Sequence, residues 1–488
     1  MKIFWMLWSV LALLAPTFAR AAEDKCAACH RRESSALVME WDRSKHAANG
    51  VGCQQCHQGK EGDAFSWKHQ GEFVSAIVTP KTCAQCHAEE TEQFSKSHHA
   101  RAGEILASLD NILAEKVAGL PNNKADAVNG CLQCHGGVVK VLKDEKGEVK
   151  RTGAEGDGSK GSCNACHSRH SFEAKLARNP ENCGKCHMGP DHPQIEIYNE
   201  SKHGIAFHAN KDKMALDKDS WVLGKDYSAA PTCATCHISS YMGPDGQVKG
   251  NTHDVGERIS WTLRPVISSK LNMVVFKDGF KEDYPDSRAL PKVGDSVETI
   301  EKVVEKDMLV SKKVTRIVDR ILTWDQRRGQ MQAVCANCHG KQFVSNFYEQ
   351  YDSLVTLYNE KFAKPAKGIM DELLKDGVLN AKAPFEHDVQ WEFWELWHHE
   401  GRRARHGASM MGPDYTHWHG MYEVSKTFYI KFLPAVVKAA EEKSPELGKK
   451  WKAKIDALMT REEHAWRKGL SPEEAEQLKK EYQLRYNQ

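Results

Sequence analysis

All 16 cysteines of this 488-residue chain fall into eight copies of one motif, Cys-x-x-Cys-His. The copies are Cys26/Cys29/His30, Cys53/Cys56/His57, Cys83/Cys86/His87, Cys131/Cys134/His135, Cys163/Cys166/His167, Cys183/Cys186/His187, Cys233/Cys236/His237 and Cys335/Cys338/His339. Two thiols at this spacing can form thioethers with the two vinyl groups of one porphyrin, and the adjacent histidine then ligates its iron, so the motif is the attachment site of a c-type heme. A single copy could be a zinc half-site or a redox dithiol. Disulfides are the other use of cysteine open to an exported chain. Neither alternative requires a histidine after every second cysteine, eight times over. The expected cofactors are therefore eight covalently bound c-type hemes.

A heme that only passes electrons is closed by a second axial ligand, whereas a catalytic one keeps an open position. The chain has 24 histidines, far more than the eight its motifs use. His46, His98 and His203 each follow a Ser-Lys or Lys-Ser pair, and His170 comes three residues after His167. Together with His69, His253 and His406 they are the candidate distal ligands, enough for seven closed hemes and one open heme. For each, the alternative is an ordinary surface or core histidine.

The elements that must hold these groups read as mainly α. Residues 22–208 carry six motifs on short helical connectors, a heme-packed region needing little side-chain core because porphyrin faces pack on one another and on the chain. Residues 139–162 are polar and glycine-rich and read as an exposed loop. Residues 209–340 hold motifs seven and eight, with 266–318 reading as loop with short strands at best. Residues 341–488 read as a helical bundle. Phe343, Phe347, Tyr351, Leu354, Tyr358 and Phe362 recur at helical spacing up to a stop at Pro365. This aromatic stripe reads as core or subunit interface. Further helices are expected over 386–399 and 424–441, and Ser471-Pro-Glu-Glu474 is a capping box.

Lys2 and the apolar residues 3–15, followed by Ala19-Arg20-Ala21, read as a cleaved signal peptide over 1–21, which places the mature chain in the periplasm. The alternative is a retained anchor, but the apolar run is short for a bilayer span, and no later span is evident. A formal net charge of +2 gives no broad electrostatic case for nucleic acid or an anionic membrane, and heme propionates would make the holoprotein more acidic.

The motif count followed by a helical C-terminal region resembles the octaheme hydroxylamine oxidoreductase family. The resemblance is carried by Cys186-His-Met-Gly-Pro-Asp-His-Pro193, Thr252-His-Asp-Val-Gly-Glu-Arg-Ile-Ser-Trp261, His398-His-Glu-Gly-Arg-Arg-Ala-Arg-His406 and Met411-Gly-Pro-Asp-Tyr-Thr-His-Trp-His-Gly420. It covers essentially the whole mature chain. No Cys-x-x-Cys-Lys site, the mark of related nitrite reductases, occurs. The resemblance implies that the fourth heme, at Cys131, Cys134 and His135, is catalytic and open. It implies that Asp191-His192 is the distal acid/base pair, with Tyr241 as the pocket tyrosine. In oxidising members a tyrosine of a neighbouring subunit bonds to the catalytic porphyrin of a trimer. Tyr415 matches that residue and Tyr422 is its rival; the alternative for Tyr415 is a buried aromatic in a helix-entry loop.

The implied chemistry is oxidation of hydroxylamine, or its analogue hydrazine. His192 accepts protons and Asp191 orients it or shares the load, while seven hemes carry electrons to a cytochrome or quinone-linked cytochrome partner. The same parts can run as a nitrite or hydroxylamine reductase forming ammonia. A third possibility, of a different class, is a pure electron conduit with every heme closed.

Overall fold

A computed structural model describes residues 24–63, 66–75, 77–102, 161–305 and 308–486, with the short paired strands Leu142–Lys143 and Val149–Lys150. The expected leader, the fourth motif (Cys131, Cys134, His135) and most of the 139–162 loop lie outside the described residues. The described chain is mainly α and forms two compact units, one of residues 24–78 with His167–Glu173, the other of the remainder.

In the first unit, short helices begin where a side chain can satisfy their free backbone donors. The Asp24 carboxylate accepts from the backbone N–H of Cys26 (2.9 Å) and Ala27 (3.0 Å), starting helix Lys25–Glu33 on the first motif. It also accepts from Cys53 N–H at 3.0 Å, where the second motif's helix, Cys53–His57, begins. Ser44 caps Lys45–Ala48, which carries His46. A hairpin pairs Ser66–His69 with Glu72–Ser75. Its two-residue turn, Gln70-Gly71, has positive φ at both positions, matching the twist of the strands. The hairpin thereby sets His69 at a strand end.

The second unit has a five-stranded antiparallel sheet where the sequence reads as loop. Strand Ser269–Phe276 is central, flanked by Lys281–Pro285 and Met308–Leu322, with Ser296–Glu305 pairing on the far side of the latter and Trp261–Thr262 capping one end. Residues 272–276 are all buried. The long hairpin forms because β-branched residues alternate with charges along 296–322. Thr299 and Arg316 share its inner face and hydrogen-bond, and Arg316 stacks 3.9 Å over Phe280. The polar partners Glu298 and Lys313 pair at 2.7 Å on the other face. Cross-strand pairing supplied this order, which a residue-by-residue reading of turn formers did not anticipate.

After the eighth motif come three long helical runs, each crossing a π-helical segment. Lys341–Tyr358 continues through Asn359–Ala363 into Lys364–Lys375. Asp388–Trp394 continues through Glu395–Glu400 into Gly401–Ser409. Pro413–Thr416, His417–Tyr422, Glu423–Lys426, Thr427–Phe432 and Leu433–Lys443 follow without a break. Pro365 therefore does not stop its helix. It falls at the start of the helix beyond a π segment, where the wider turn tolerates a residue with no N–H to donate. The buried stripe of Lys341–Tyr358 is also offset from the expected aromatics: Val344, Tyr348, Tyr351, Val355 and Tyr358 are buried, while Phe343 is exposed and stacks on His339 at 4.7 Å. The Ser471/Glu474 box forms as read, with Ser471 N–H donating to Glu474 (2.7 Å) and Glu474 N–H to Ser471 (3.2 Å). Among the described residues no helix is long and apolar enough to cross a membrane.

The bundle core includes Phe362, Phe428, Phe432, Val436 and Trp451. Phe428 is fully buried, its ring 5.4 Å from Phe362. Phe428→Ala is expected to cost about 3–5 kcal/mol of stability. A lowered guanidinium midpoint of the helical signal, with the heme motifs still loaded, is the measurement.

Candidate functional site

The motif histidines meet other histidines face to face. In the first unit the His30 and His69 ring centres are 6.1 Å apart and those of His57 and His170 are 6.2 Å apart. In the second unit His203 and His339 are 6.0 Å apart and His99 and His187 are 6.0 Å apart. Metal–imidazole bonds of about 2.0 Å, with roughly 1.1 Å from nitrogen to ring centre on each side, place two rings sharing one iron about 6.2 Å apart. The spacing thus fits a planar group carrying a metal between each pair. Among the described residues no three His, Cys, Asp or Glu side chains converge as on a bare metal ion.

Orientation and protonation fit as well. His57 Nδ1 donates to Ser75 O at 2.8 Å and His237 Nδ1 to Val255 O at 3.2 Å, which leaves Nε2 of each ring for a metal. Burial pushes His187 and His237 down to about 4 and His406 to about 3, so these imidazoles are neutral, as ligation requires. The Cys83 thiol contacts Cys163, and the Cys183 thiol contacts Cys233. Motifs three and five, and motifs six and seven, therefore lie directly against one another, the arrangement an electron relay needs.

The second cysteines of the first three motifs correct the expectation of a uniformly heme-packed region. Cys29 and Cys86 are exposed and Cys56 is only half-buried, and none of the three is in a disulfide. No core cluster of buried side chains includes Cys29, Cys56 or Cys86, so the protein matrix itself builds no closed seat for these thiols. The physical reason is local. Helices Lys25–Glu33 and Cys53–His57 are short and belong to a small unit with little side-chain interior, and Cys86 follows the single turn Pro80–Cys83. The assignment of Cys29, Cys56 and Cys86 to porphyrin attachment therefore stands on motif spacing, whereas Cys183 and Cys233 also have the neighbouring motif packed against them.

The remaining sequence-predicted ligands have these positions. His253 has a buried Nδ1 with no hydrogen-bond partner and lies within electrostatic reach of His87. His406 is fully buried in α-helix Gly401–Ser409, its Nε2 has no hydrogen-bond partner, and its charge is felt by His187 and His192. The His46 ring packs edge-on to Phe172 at 5.1 Å. His98 is exposed and meets Asp283 at 3.2 Å, whereas its neighbour His99 turns inward to His187. The phase of the chain at Ser97–Ala100 decides between the two, and the Ser-Lys context that pointed to His98 carried no information on it.

Asp191 and His192 follow the sixth motif. His192 Nδ1 and Asp191 Oδ1 hydrogen-bond, and His192 Nε2 lies 2.9 Å from Cys186 O. His192 is 6.4 Å from His187 between ring centres, yet both its nitrogens face oxygen acceptors and neither is free to ligate. The second Asp191 oxygen, Oδ2, accepts from Arg402 at 2.9 Å. Although burial opposes it, the facing His192, His398 and Arg402 hold the Asp191 carboxyl well below the usual range. Arg402 and His398 were missed by residue-type reasoning. The usable signal was their i, i+4 spacing in the His398–His406 string.

Tyr241 is buried in strand Ser240–Met242 within an apolar cluster of Phe207, Trp221 and Val334, with Arg258 5.5 Å over its ring. Its position relative to the fourth motif lies outside the described residues. Tyr415 is partly exposed, 5.6 Å from His419, and burial with Glu200 and Glu196 nearby raises its phenol. Tyr422 is 56% exposed, more open than Tyr415.

The sequence matches the family described as "Seven times multi-haem cytochrome CxxCH" over residues 142–284 and 297–384. It matches "Cytochrome c554 and c-prime" over residues 82–168. It is 25% identical over 363 residues to a Kuenenia stuttgartiensis protein named probable nitrite reductase-hydroxylamine oxidoreductase fusion protein, covering 67% of this chain and 35% of that protein. The chain thus spans about a third of the length of that curated relative. A solved "hypothetical multiheme protein" superposes with a TM-score of 0.66 at 25% identity, over 86% of this chain and 96% of that one. A Kuenenia stuttgartiensis "reducing HAO-like protein complex" shares the fold, with a TM-score of 0.55 at 18% identity over 85% of this chain and 84% of that one.

The depressed Asp191 carboxyl has a signed consequence. A carboxyl whose folded-state value lies below its ordinary 3.8 contributes stability above that pH and loses it as pH falls toward the folded value. Asp191→Asn should therefore cost about 1.5–3 kcal/mol at neutral pH. The gap from wild type should close on acidification below about 3.8, measured as unfolding midpoints at pH 7 and pH 3.

Proposed function

The chain is a multiheme c-type cytochrome of the hydroxylamine oxidoreductase-like family, and from that premise we propose that it is an exported oxidoreductase oxidising hydroxylamine, or its analogue hydrazine, at one open heme. The observation that carries this reading is Asp191–His192, a charge-clamped acid/base pair with both histidine nitrogens hydrogen-bonded rather than ligating. When bound, the hemes supply iron centres that accept and pass on electrons, and the one behind His135 offers a vacant position to a small nitrogenous substrate. His30/His69, His57/His170, His87/His253, His99/His187 and His203/His339 hold closed hemes between them in this reading. His167 and His237 complete the proximal set, with His46 and His406 as the remaining distal candidates.

His192 exchanges protons with substrate nitrogen and oxygen as electrons leave, and its bond to Asp191 fixes the ring for that exchange. Buried aromatic and aliphatic side chains around Tyr241 keep bulk water from that side of the second unit. Tyr415, partly exposed, is available to a neighbouring copy for the porphyrin bond found in oxidising relatives of this family, which implies a trimer. A soluble or quinone-linked cytochrome would take the electrons.

A second reading is reduction of nitrite or hydroxylamine to ammonia by the same pair. The name of the curated relative, which joins nitrite reductase to hydroxylamine oxidoreductase, favours it. Two measurements separate the directions. The holoprotein is expected to turn over hydroxylamine with oxidised cytochrome c faster than it consumes nitrite with a reduced viologen. The tryptic heme peptide spanning Cys131 to His135 is expected to carry a second peptide containing Tyr415. Heme alone on that peptide, with nitrite turnover dominant, would assign the reductive direction.

A further inference from the structure

We propose that Arg402 is the positioning residue of the Asp191–His192 pair and makes Asp191 an orienting anion rather than a carrier of protons. The inference rests on the reading of that pair as the acid/base of the open centre.

Arg402 reaches Asp191 across 211 positions of sequence. It is 4% exposed and fixed on several sides. Its Nη1 donates to Asp191 Oδ2 at 2.9 Å and lies 2.9 Å from His398 Nε2. Its Nε donates to Arg264 O at 2.9 Å, and the guanidinium lies 5.0 Å over the Trp397 ring. His398 is in turn stacked on Trp394, with ring centres 3.9 Å apart and planes 15° from parallel. The guanidinium cannot swing away without breaking these contacts together, so the carboxylate it holds is fixed as well.

Both Asp191 oxygens are then committed, Oδ1 to His192 and Oδ2 to Arg402. Neither is left to take up or release a proton at a substrate. The charged groups facing the carboxyl are His192, His398 and Arg402, and all of them favour its anion. His192 Nδ1 is held by that anion, whereas Nε2 is held only by the neutral Cys186 carbonyl. Nε2 is therefore the atom through which the pair exchanges protons. This division of labour matches the general logic of an orienting carboxylate behind a histidine base, in which the carboxylate does not itself become protonated. A lysine at 402 would supply the charge but not the directed fork of donors that meets Asp191 and Arg264 together.

The test uses the full heme-loaded protein in wild-type, Arg402→Lys, Arg402→Met and His192→Gln forms. Two readouts are taken across pH: hydroxylamine turnover, and the rate at which cyanide binds the ferric protein, followed by the Soret band. Arg402→Met is expected to lower kcat about 10–100-fold with KM little changed. Its acid limb is expected to rise by about 1–3 pH units in both readouts, as the carboxyl loses its opposite charge. Arg402→Lys is expected to keep the limb near the wild-type position while still losing kcat. If Arg402→Met matches wild type in kcat, limb and cyanide rate while His192→Gln loses them, Arg402 is only a structural tether and the proposal falls, with the acid/base reading intact. If His192→Gln also leaves both readouts unchanged, the reading of the pair itself falls. Should Arg402→Met fail to accumulate, an Arg402→Lys protein with wild-type kcat overturns the proposal.

Discussion

A porphyrin held by two thioethers and one imidazole has one position left to define, the group on its other face, and the whole arrangement of this chain turns on how that position is filled. A second imidazole about 6 Å from the first, as at His30/His69, His57/His170, His99/His187 and His203/His339, closes the centre and suits it to carrying electrons. Local devices hold the rings to that spacing: the hairpin that ends at His69, the backbone carbonyls of Ser75 and Val255 that fix two motif histidines, and the burial that keeps His187 and His237 neutral. Chemistry at a substrate needs the opposite, a face left unfilled with a proton-handling group beside it.

The Asp191–His192 pair has the features of such a group because distant parts of the chain restrain it. The π-helical segment Glu395–Glu400 leads into α-helix Gly401–Ser409, and across that junction His398 and Arg402 converge on the loop after the sixth motif. Other buried arginines act in the same way on backbone carbonyls. Arg258 donates to Cys236 O and Ser239 O, Arg327 to Leu271 O and Gly256 O, and Arg405 to Gly401 O and Pro265 O. Each ties an irregular segment to a helix or strand with several directed bonds, which suits a fold whose loops must stand at fixed distances from rigid planar groups.

Much of this was legible from residue types. The repeated motif identified the cofactor class, the excess of histidine indicated closed hemes, and the Ser471/Glu474 box marked a real helix start. What escaped depended on information that no short window holds. The choice of His99 over His98 rests on the direction of the chain where both are adjacent. The openness of Cys29, Cys56 and Cys86 follows from how little interior surrounds their short helices, which motif spacing does not encode. The 296–322 hairpin owes its order to pairing across the turn. The runs through Pro365 and Pro434 rest on π-turns that local propensity does not specify. The Arg402 contact joins residues from opposite ends of the second unit's sequence.

The account stands on one iron, the one behind His135, differing from all the others in having no protein ligand on its far face. Magnetic circular dichroism of the fully oxidised holoprotein, with low-temperature electron paramagnetic resonance on the same sample, counts high-spin and low-spin hemes directly. The account predicts a single high-spin centre, assigned to the fourth motif by its loss when Cys131 and Cys134 are replaced, beside otherwise low-spin bis-histidine hemes. A spectrum that is low-spin throughout would contradict it, and the chain would then be an electron conduit with no site for substrate.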